Sequence, residues 1–145
     1  MIKHEAWLRQ AIDLAGQCPP SDTAFSVGAI IVDCHGRELA RGYSREQDPK
    51  VHAEESAIAK LAGHPGLAGA TIYCSLEPCG ERASRPASCA QLIIEAGIGR
   101  VVAAWAEPDD FVREPCGYQI LRAAGLDMVE LPDIAAPNYR HAKTV

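Results

Sequence analysis

Three short segments of the sequence carry side chains that could bind a metal ion and move a proton. They are His52-Ala53-Glu54, Pro78-Cys79 and Cys89. Imidazole nitrogen and cysteine thiolate are preferred ligands of Zn²⁺, and a site with three protein ligands leaves the fourth position open. We therefore predict that His52, Cys79 and Cys89 hold Zn²⁺. Glu54 remains as a carboxylate beside the open position, where it could transfer protons.

The spacing of His52 and Glu54 restricts where they can lie. On a regular helix, residues two apart point about 200° apart. Both can face one ion only at the start of a helix, where the backbone is not yet regular, and the loop containing Pro49 predicts such a start. Cys89 is expected in the first turn of another helix. Each helix N-terminus carries roughly +0.5 of an elementary charge, which favours thiolate ligands.

The combination of His-x-Glu, Pro-Cys and a later Cys resembles the signature of zinc-dependent deaminases. In that chemistry Zn²⁺ lowers the pKa of a water molecule from about 15.7 to about 7. Glu54 would accept the proton and return it to a ring nitrogen and then to the leaving amine. The predicted reaction is the hydrolytic deamination of an amino-substituted ring, with release of ammonia.

Alternating helix and strand patterns predict the elements that position these residues. Helices are predicted at 7–15, 52–62, 86–96 and 117–124, and strands at 27–32, 38–43, 71–76, 100–105 and 127–131. The first two strands are typical of an antiparallel hairpin, and the later ones of parallel strands. The sequence therefore predicts a single domain over residues 1–145, an α/β fold with three layers (α/β/α) and a mixed sheet of about five strands.

Composition restricts the partners and the location of the protein. The formal net charge of −5 argues against a surface dedicated to DNA or RNA. No apolar run approaches the roughly 20 residues that a membrane span needs, and charged residues interrupt the first 15 positions where a signal peptide would lie. We therefore expect a cytoplasmic protein that binds neither nucleic acid nor membrane.

The cysteines outside the predicted metal site have no motif around them. In the cytoplasm they should be reduced thiols, and we interpret Cys18, Cys34, Cys74 and Cys116 as small buried side chains. Cys116 lies in an unusual Arg-Glu-Pro-Cys stretch, so a place in the substrate pocket is an alternative for it.

Between Phe25 and Val129 the chain resembles the deaminase domain of riboflavin biosynthesis. The matching segments are Val27-Gly28, His52-Ala53-Glu54-Glu55, Ser75-Leu76-Glu77-Pro78-Cys79, Arg85-Pro86-Ala87-Ser88-Cys89, Ala96-Gly97-Ile98, Arg100-Val101-Val102 and Ala124-Gly125-Leu126. Nine residues separate Cys79 from Cys89, one more than in that family, whereas cytidine, tRNA and most nucleotide deaminases have two. The resemblance implies Zn²⁺, a diaminopyrimidine ribosyl phosphate as substrate, and a homodimer or larger assembly.

Several positions depart from the residues with which that family holds its substrate. Where the family has an Asn-Pro pair, this chain has Ala24-Phe25. Where the family has a His before the metal site, this chain has Ser44 or Arg45, and Gly80-Glu81 replaces the Ser-His pair of the family. An acidic Glu81 would repel a phosphate, whereas Arg85 matches a basic residue of the family. We therefore expect an amino-pyrimidine-like substrate whose ribose-phosphate contacts are altered.

The candidate substrate-binding residues follow from the resemblance and from position. They are Phe25, Ala53, Ser75, Arg85 and Trp105. Trp105 ends a predicted strand whose carboxyl end should face the ligand crevice, where its ring could stack on a flat substrate, and core packing is the alternative.

Other functions stay open at this point. One is the deamination of a free base or nucleoside of the cytosine, cytidine or guanine type. A second is adenosine editing in tRNA, against which the negative charge and the long Cys79–Cys89 loop argue. A third is a non-catalytic zinc domain, in which Glu54 would have no use.

Overall fold

The computed structural model describes residues 3–21, 25–80, 87–105 and 117–134. The helices are α1 (His4–Ala15), α2 (Ala53–Ala59), α3 (Cys89–Ala96) and α4 (Gly117–Ala123). The strands are β1 (Gly28–Val32), β2 (Glu38–Tyr43), β3 (Thr71–Leu76), β4 (Arg100–Trp105) and β5 (Asp127–Glu130). Short 3₁₀ turns lie at Pro65–Leu67 and Pro132–Ile134. Every predicted helix and strand is present among these residues.

The strands form one mixed sheet in the order β2-β1-β3-β4-β5. β1 is antiparallel to both β2 and β3, whereas β3, β4 and β5 are parallel to one another. The predicted mixed sheet of five strands is therefore confirmed.

Helices cover both faces of this sheet. Successive residues of a strand point to opposite faces. A Cβ atom added to Gly28 would meet α1 at the carbonyl oxygen of Ala11. Ala29 points to the other face, and its strand partner Gly42 lies against α2 at Ala53. Helix α3 packs between α2 and α4, which completes the predicted α/β/α layering.

The core lies where the helices meet the central strands. All residues of β1 are buried, and β3 is buried from its second residue to its last. Helix α1 contributes Leu8, Ala11 and Leu14 to the same core. A continuous apolar run such as β1 is typical of strands covered on both faces. None of the described helices is long and apolar enough to cross a membrane.

The sheet brings the predicted site segments to one edge. β3 and β4 are parallel, so their carboxyl ends, at Leu76 and Trp105, lie side by side. Because β1 is antiparallel to β3, the start of β1 at Gly28 lies at that same edge, and so does the end of β2 at Tyr43. The segments that follow β2 and β3 and the one that precedes β1 therefore surround a single region.

One helix begins later than the sequence pattern predicts. The pattern places Pro86 at the first position of the third helix, but α3 begins at Cys89, and Pro86 itself lies outside the described residues. The Ser88 hydroxyl accepts a hydrogen bond from the Gln91 amide at 3.2 Å, and the Gln91 side chain accepts one from the Ser88 amide at 3.0 Å. This reciprocal capping box sets the helix start at Cys89.

The expectation that the Cys34 side chain is buried was wrong. It was interpreted as a small buried side chain, but it lies in the turn between β1 and β2 and is exposed. Cys74 is buried as expected, and Cys18 is partly buried. Cys116 lies outside the described residues. All cysteines in the described part of the chain are free thiols.

Gly42 allows β2 and α2 to approach closely, and this contact can be tested. A Cβ atom at Gly42 would lie 2.7 Å from both the Ala53 carbonyl oxygen and the Ala57 nitrogen. We expect Gly42→Ala to force α2 away from the sheet and to lower the free energy of unfolding by about 1–3 kcal/mol in urea denaturation. Gly99→Ala is the control, because its Cβ would meet nothing nearer than 3.4 Å. Equal stability of the two variants would contradict this packing.

Glu46 links the loop after β2 to α2, and this link predicts a pH dependence. Its carboxylate accepts hydrogen bonds from the Ser56 hydroxyl at 2.6 Å and from the Lys60 ammonium at 2.8 and 2.9 Å. Partial burial acts to raise the pKa of Glu46, but the bonds from Lys60 and Ser56 outweigh it and the pKa lies below its ordinary value. The stabilisation is therefore present above the pKa of the unfolded chain and is lost as the pH falls through the folded pKa.

The test compares unfolding free energies of wild type and Glu46→Gln from pH 7 to pH 3. The advantage of wild type should be largest at neutral pH and should shrink as the solution becomes more acidic than about pH 4.3. Glu95→Gln, on the exposed side of α3, controls for the loss of one negative charge. A wild-type advantage that stays constant over this range would refute the assignment.

Candidate functional site

His52 and Glu54 lie at the start of α2, as their spacing requires. His52 has extended backbone angles (φ −92°, ψ 159°) and precedes the first helical residue, Ala53. The amide of His52 donates a hydrogen bond to the Glu55 carboxylate at 3.2 Å. This contact fixes the turn by which the chain enters α2. The prediction that His52 and Glu54 share the irregular start of a helix is confirmed.

Cys79 and Cys89 meet where β3 leads into a loop and α3 begins. The amide of Cys89, the first residue of α3, donates a hydrogen bond to the Cys79 sulfur at 3.2 Å. The next amide, of Ala90, donates to the Cys79 carbonyl oxygen at 3.0 Å. The two amides at the start of α3 thus hold both the side chain and the backbone of Cys79.

Three donor atoms converge at this point. The His52 Nδ1 atom lies 3.3 Å from the Cys89 Sγ atom and 3.6 Å from the Cys79 Sγ atom, and all three atoms lie within 4.8 Å of one another. Ordinary Zn–N and Zn–S bonds at tetrahedral angles would separate N and S ligands by about 3.6 Å. One nitrogen and two sulfur atoms at this spacing match the donor set and the size of a zinc site.

The two sulfurs differ in acidity. The hydrogen bond from the Cys89 thiol, together with those from His52 and from the Cys89 amide, holds the pKa of Cys79 well below its ordinary value despite burial. The same Cys79–Cys89 bond and burial raise the pKa of Cys89. These directions favour ionisation of Cys79 before Cys89, and a cation beside both sulfurs would favour ionisation of Cys89 as well.

Glu54 is a buried carboxyl group beside these donors. Its exposed fraction is 3%. Burial raises the pKa of Glu54 and the negative charge on Cys79 adds to this, while His52 and a hydrogen bond with Cys89 oppose it. A carboxyl group with a raised pKa holds and releases a proton more readily near neutral pH than an exposed one does.

A cavity of about 320 Å³ opens over His52, Glu54 and Cys79. Phe25 and Ala53, both predicted to bind substrate, are among its lining residues. Ser75 is fully buried outside this lining, and its hydroxyl accepts a hydrogen bond from the Gly28 amide at 3.1 Å. Trp105 ends β4 beside Leu76 in the register. Arg85 lies outside the described residues.

Glu77 is a residue of the cavity wall that the sequence analysis did not assign. Its exposed fraction is 5%, and its carboxylate accepts a hydrogen bond from the Tyr118 amide, at the start of α4, at 3.1 Å. Gly117 approaches the Pro78 carbonyl oxygen so closely that a Cβ atom there would lie 1.7 Å from it. These contacts hold α4 against the segment that carries Cys79. In the sequence, the signal for a role of Glu77 was an acidic residue directly after the buried apolar strand β3.

Comparison with known proteins gives the family. Residues 1–105 match the sequence model of the cytidine and deoxycytidylate deaminase zinc-binding region. This match spans His52, Glu54, Cys79 and Cys89, and Zn²⁺ is accordingly the metal of this domain.

Individual relatives give a narrower likeness. A diaminohydroxyphosphoribosylamino-pyrimidine deaminase of Schizosaccharomyces pombe is 41% identical over 131 residues, which cover 88% of this chain and 32% of the relative. The Aspergillus oryzae Rib2 deaminase, a C-terminal deletion mutant in complex with DARIPP, has a TM-score of 0.74 and 30% identity and covers 88% of this chain and 84% of its own.

A bacterial structure shows the same likeness over nearly the whole chain. It is a diaminohydroxyphosphoribosylaminopyrimidine deaminase/5-amino-6-(5-phosphoribosylamino)uracil reductase of Thermotoga maritima, with a TM-score of 0.76 and 30% identity, covering 95% of this chain and 40% of its own. The chain spans about a third of the length of the curated relatives that it matches. It belongs to the family of the cytidine and deoxycytidylate deaminase zinc-binding region, and the resemblance to riboflavin-pathway deaminases is confirmed.

Proposed function

We propose that this chain is a zinc-dependent hydrolytic deaminase. It converts an amino-substituted pyrimidine-like heterocycle to the oxo form and releases ammonia. The observation that carries this proposal is the buried Glu54 carboxyl group beside three converging donor atoms, under a cavity of about 320 Å³. A purely structural zinc site has no use for a buried carboxyl group that is not a ligand.

His52, Cys79 and Cys89 are proposed as the zinc ligands. When bound, Zn²⁺ supplies Lewis-acid activation of water, lowering its pKa from about 15.7 to about 7. The amides at the start of α3 support this set, because they donate to the Cys79 sulfur and carbonyl oxygen. The positive ends of α2 and α3 favour negative charge on the sulfurs.

Glu54 is proposed as the group that transfers protons. Its carboxylate accepts a proton from the attacking water and passes it to the ring nitrogen next to the carbon under attack. A second transfer protonates the amine, the carbon–nitrogen bond breaks, and ammonia leaves as the carbonyl forms. Burial suits Glu54 to both directions of transfer, since it raises the pKa of the carboxyl group.

The cavity supports a flat, partly apolar substrate. Phe25, Val27 and Leu76 supply apolar surface to its wall, and Lys50 lies at the same cavity. The Aspergillus oryzae relative is described in complex with DARIPP, which supports an aminated pyrimidine of the riboflavin pathway as the substrate. The family-typical His before the metal site is absent, and Ser44 and Arg45 line the cavity in that region. The ribose-phosphate contacts are therefore proposed to differ from those of the family.

The other candidate functions are not favoured. The relatives act, by their names, on a diaminopyrimidine ribosyl phosphate rather than on a free base, a nucleoside or tRNA. A non-catalytic zinc domain leaves the buried Glu54 without a role.

Several expectations about the whole protein stay predictions. They are a single deaminase domain over residues 1–145, a cytoplasmic location, a homodimer or larger assembly, and no binding of nucleic acid. Sedimentation of the purified protein, with and without RNA, measures the last two.

The proposed ligands predict a specific pattern of metal loss. Wild type should contain about one zinc ion per chain, and the Cys79→Ala, Cys89→Ala and His52→Ala variants should each contain far less after dialysis. The cobalt-substituted wild type should show thiolate-to-metal charge-transfer absorption, which weakens in each cysteine variant. Cys34→Ala, in an exposed turn, is the control and should keep full metal content. Retention of zinc by any of the three ligand variants would contradict the assignment.

The role of Glu54 is tested with an isosteric change. Glu54→Gln should lower kcat by about 10²- to 10⁴-fold, because glutamine cannot accept the proton. The zinc content of the variant should stay unchanged. Glu55→Gln is the matched control, since glutamine can still accept the bond from the His52 amide. Ammonia release is measured with DARIPP, its phosphatase-treated product, free bases and nucleosides.

Two outcomes would count against the proposal. Equal activity of wild type and Glu54→Gln would contradict the proton-transfer mechanism. Activity of wild type on bases or nucleosides, with none on DARIPP, would overturn the proposed substrate but not the chemistry.

A further inference from the structure

The Arg45 side chain joins the two chain segments that form one wall of the cavity. Its guanidinium donates to the Pro19 carbonyl oxygen from Nε at 3.0 Å and from Nη2 at 2.7 Å. Nη1 donates to the Phe25 carbonyl oxygen at 3.1 Å, and Nη2 donates to the Ser26 hydroxyl at 2.8 Å. The acceptors all belong to the segment before β1, whereas Arg45 itself follows β2.

The backbone of Arg45 is tied to the other side of the site. Its amide donates to the Val51 carbonyl oxygen at 2.8 Å, and Val51 immediately precedes the proposed ligand His52. Arg45 has φ +62° and is the only described residue other than glycine with positive φ. Such a conformation is unfavourable for residues other than glycine and persists where the surroundings hold it.

A neighbouring pair of hydrogen bonds closes the same junction. The Ser44 amide donates to the Val27 carbonyl oxygen at 3.0 Å, and the Val27 amide donates to the Ser44 hydroxyl at 2.9 Å. Ser44 and Ser26 are buried, with exposed fractions of 5% and 0%. Phe25 is therefore held in two ways. Its carbonyl oxygen accepts the bond from Arg45, and the next two residues, Ser26 and Val27, are bonded to Arg45 and Ser44.

The guanidinium geometry favours a positioning role over direct binding of an anion. A guanidinium has five N–H donors in a planar fork, and four donor contacts to protein oxygens are accounted for here. One N–H group, on Nη1, takes no part in these four bonds, so a two-point contact with a substrate phosphate would displace a bond that also holds the wall. Lysine keeps the charge but cannot reproduce the fork.

We propose that Arg45 is a positioning residue that sets the distance between the Phe25 wall and the His52–Glu54 start of α2, and so determines which ring fits the cavity. This inference rests on the proposed function, because the ring it selects is the substrate of that reaction. Substrate affinity should then depend on the four guanidinium contacts whether or not the substrate carries a phosphate.

The experiment compares Arg45→Lys, Arg45→Asn and the control Arg41→Lys in the zinc-loaded protein. Asparagine removes the guanidinium and still tolerates positive φ, so it separates the side chain from backbone strain. Arg41 pairs with Glu38 on the exposed side of β2. The first readout is hydrogen exchange at the Val27 amide by NMR, which needs no activity. The second is kcat and KM for DARIPP and for its phosphatase-treated product.

We expect exchange at the Val27 amide to accelerate about tenfold or more in both Arg45 variants. KM should rise about 10- to 100-fold, and by the same factor for both compounds. The change in kcat should be far smaller, because the lost binding energy affects the ground state and the transition state equally. Arg41→Lys should match wild type in both measurements.

Three results would overturn the proposal. Unchanged exchange at Val27 in both variants would show that Arg45 does not hold the wall, even if the protein deaminates nothing. Faster exchange with unchanged KM would reduce Arg45 to a structural residue. A rise in KM confined to the phosphorylated compound would make Arg45 a phosphate ligand instead.

Discussion

The hydrogen bond from the Cys89 amide to the Cys79 sulfur is the contact on which the geometry of the site depends. It joins the end of β3 to the beginning of α3, and it aims a helix N-terminus at a sulfur whose pKa is lowered. The next amide holds the Cys79 carbonyl oxygen, so the segment is fixed in both position and direction. A sulfur held by a backbone donor is positioned for a cation before the cation arrives.

Glu54 combines a raised pKa with a position beside the metal donors, and both depend on its place at the buried start of α2. The carboxyl group is almost fully buried beside the cavity, where desolvation raises its pKa, while the neighbouring His52 moderates that effect. The start of α2 accommodates both residues because His52 is extended and Glu54 is helical. A regular helix through both positions would send the two side chains to opposite sides. The extended backbone of His52, immediately before the helix, is therefore part of the chemistry.

Most of the fold could be predicted because periodic apolar patterns control it. β3 and β4 have the predicted bounds because β-branched and apolar runs extend over them, and β2 has them because a turn at residues 33–36 precedes it. The start of α3 could not be placed by Pro86, because the Ser88–Gln91 capping box decided it. The metal donors were predictable from residue type and order. The roles of Glu77 and Arg45 were not, since their partners Tyr118 and Pro19 lie far away in sequence and only folding brings them together.

The wall held by Arg45 lies outside the stretch from His52 to Cys89 that contains every group proposed for the chemistry. Its members come from the segments around β1 and β2, and they face the reacting centre across the cavity, with the bond from the Arg45 amide to the Val51 carbonyl oxygen as a direct link. Substitution of the side chains that line the cavity in these segments can therefore reshape the ligand space, whereas a change at a packing contact such as Gly42 would also move α2. The chemistry and the shape of the ligand space thus depend largely on different parts of the chain, which opens a route to new substrates through changes in the wall without rebuilding the metal site.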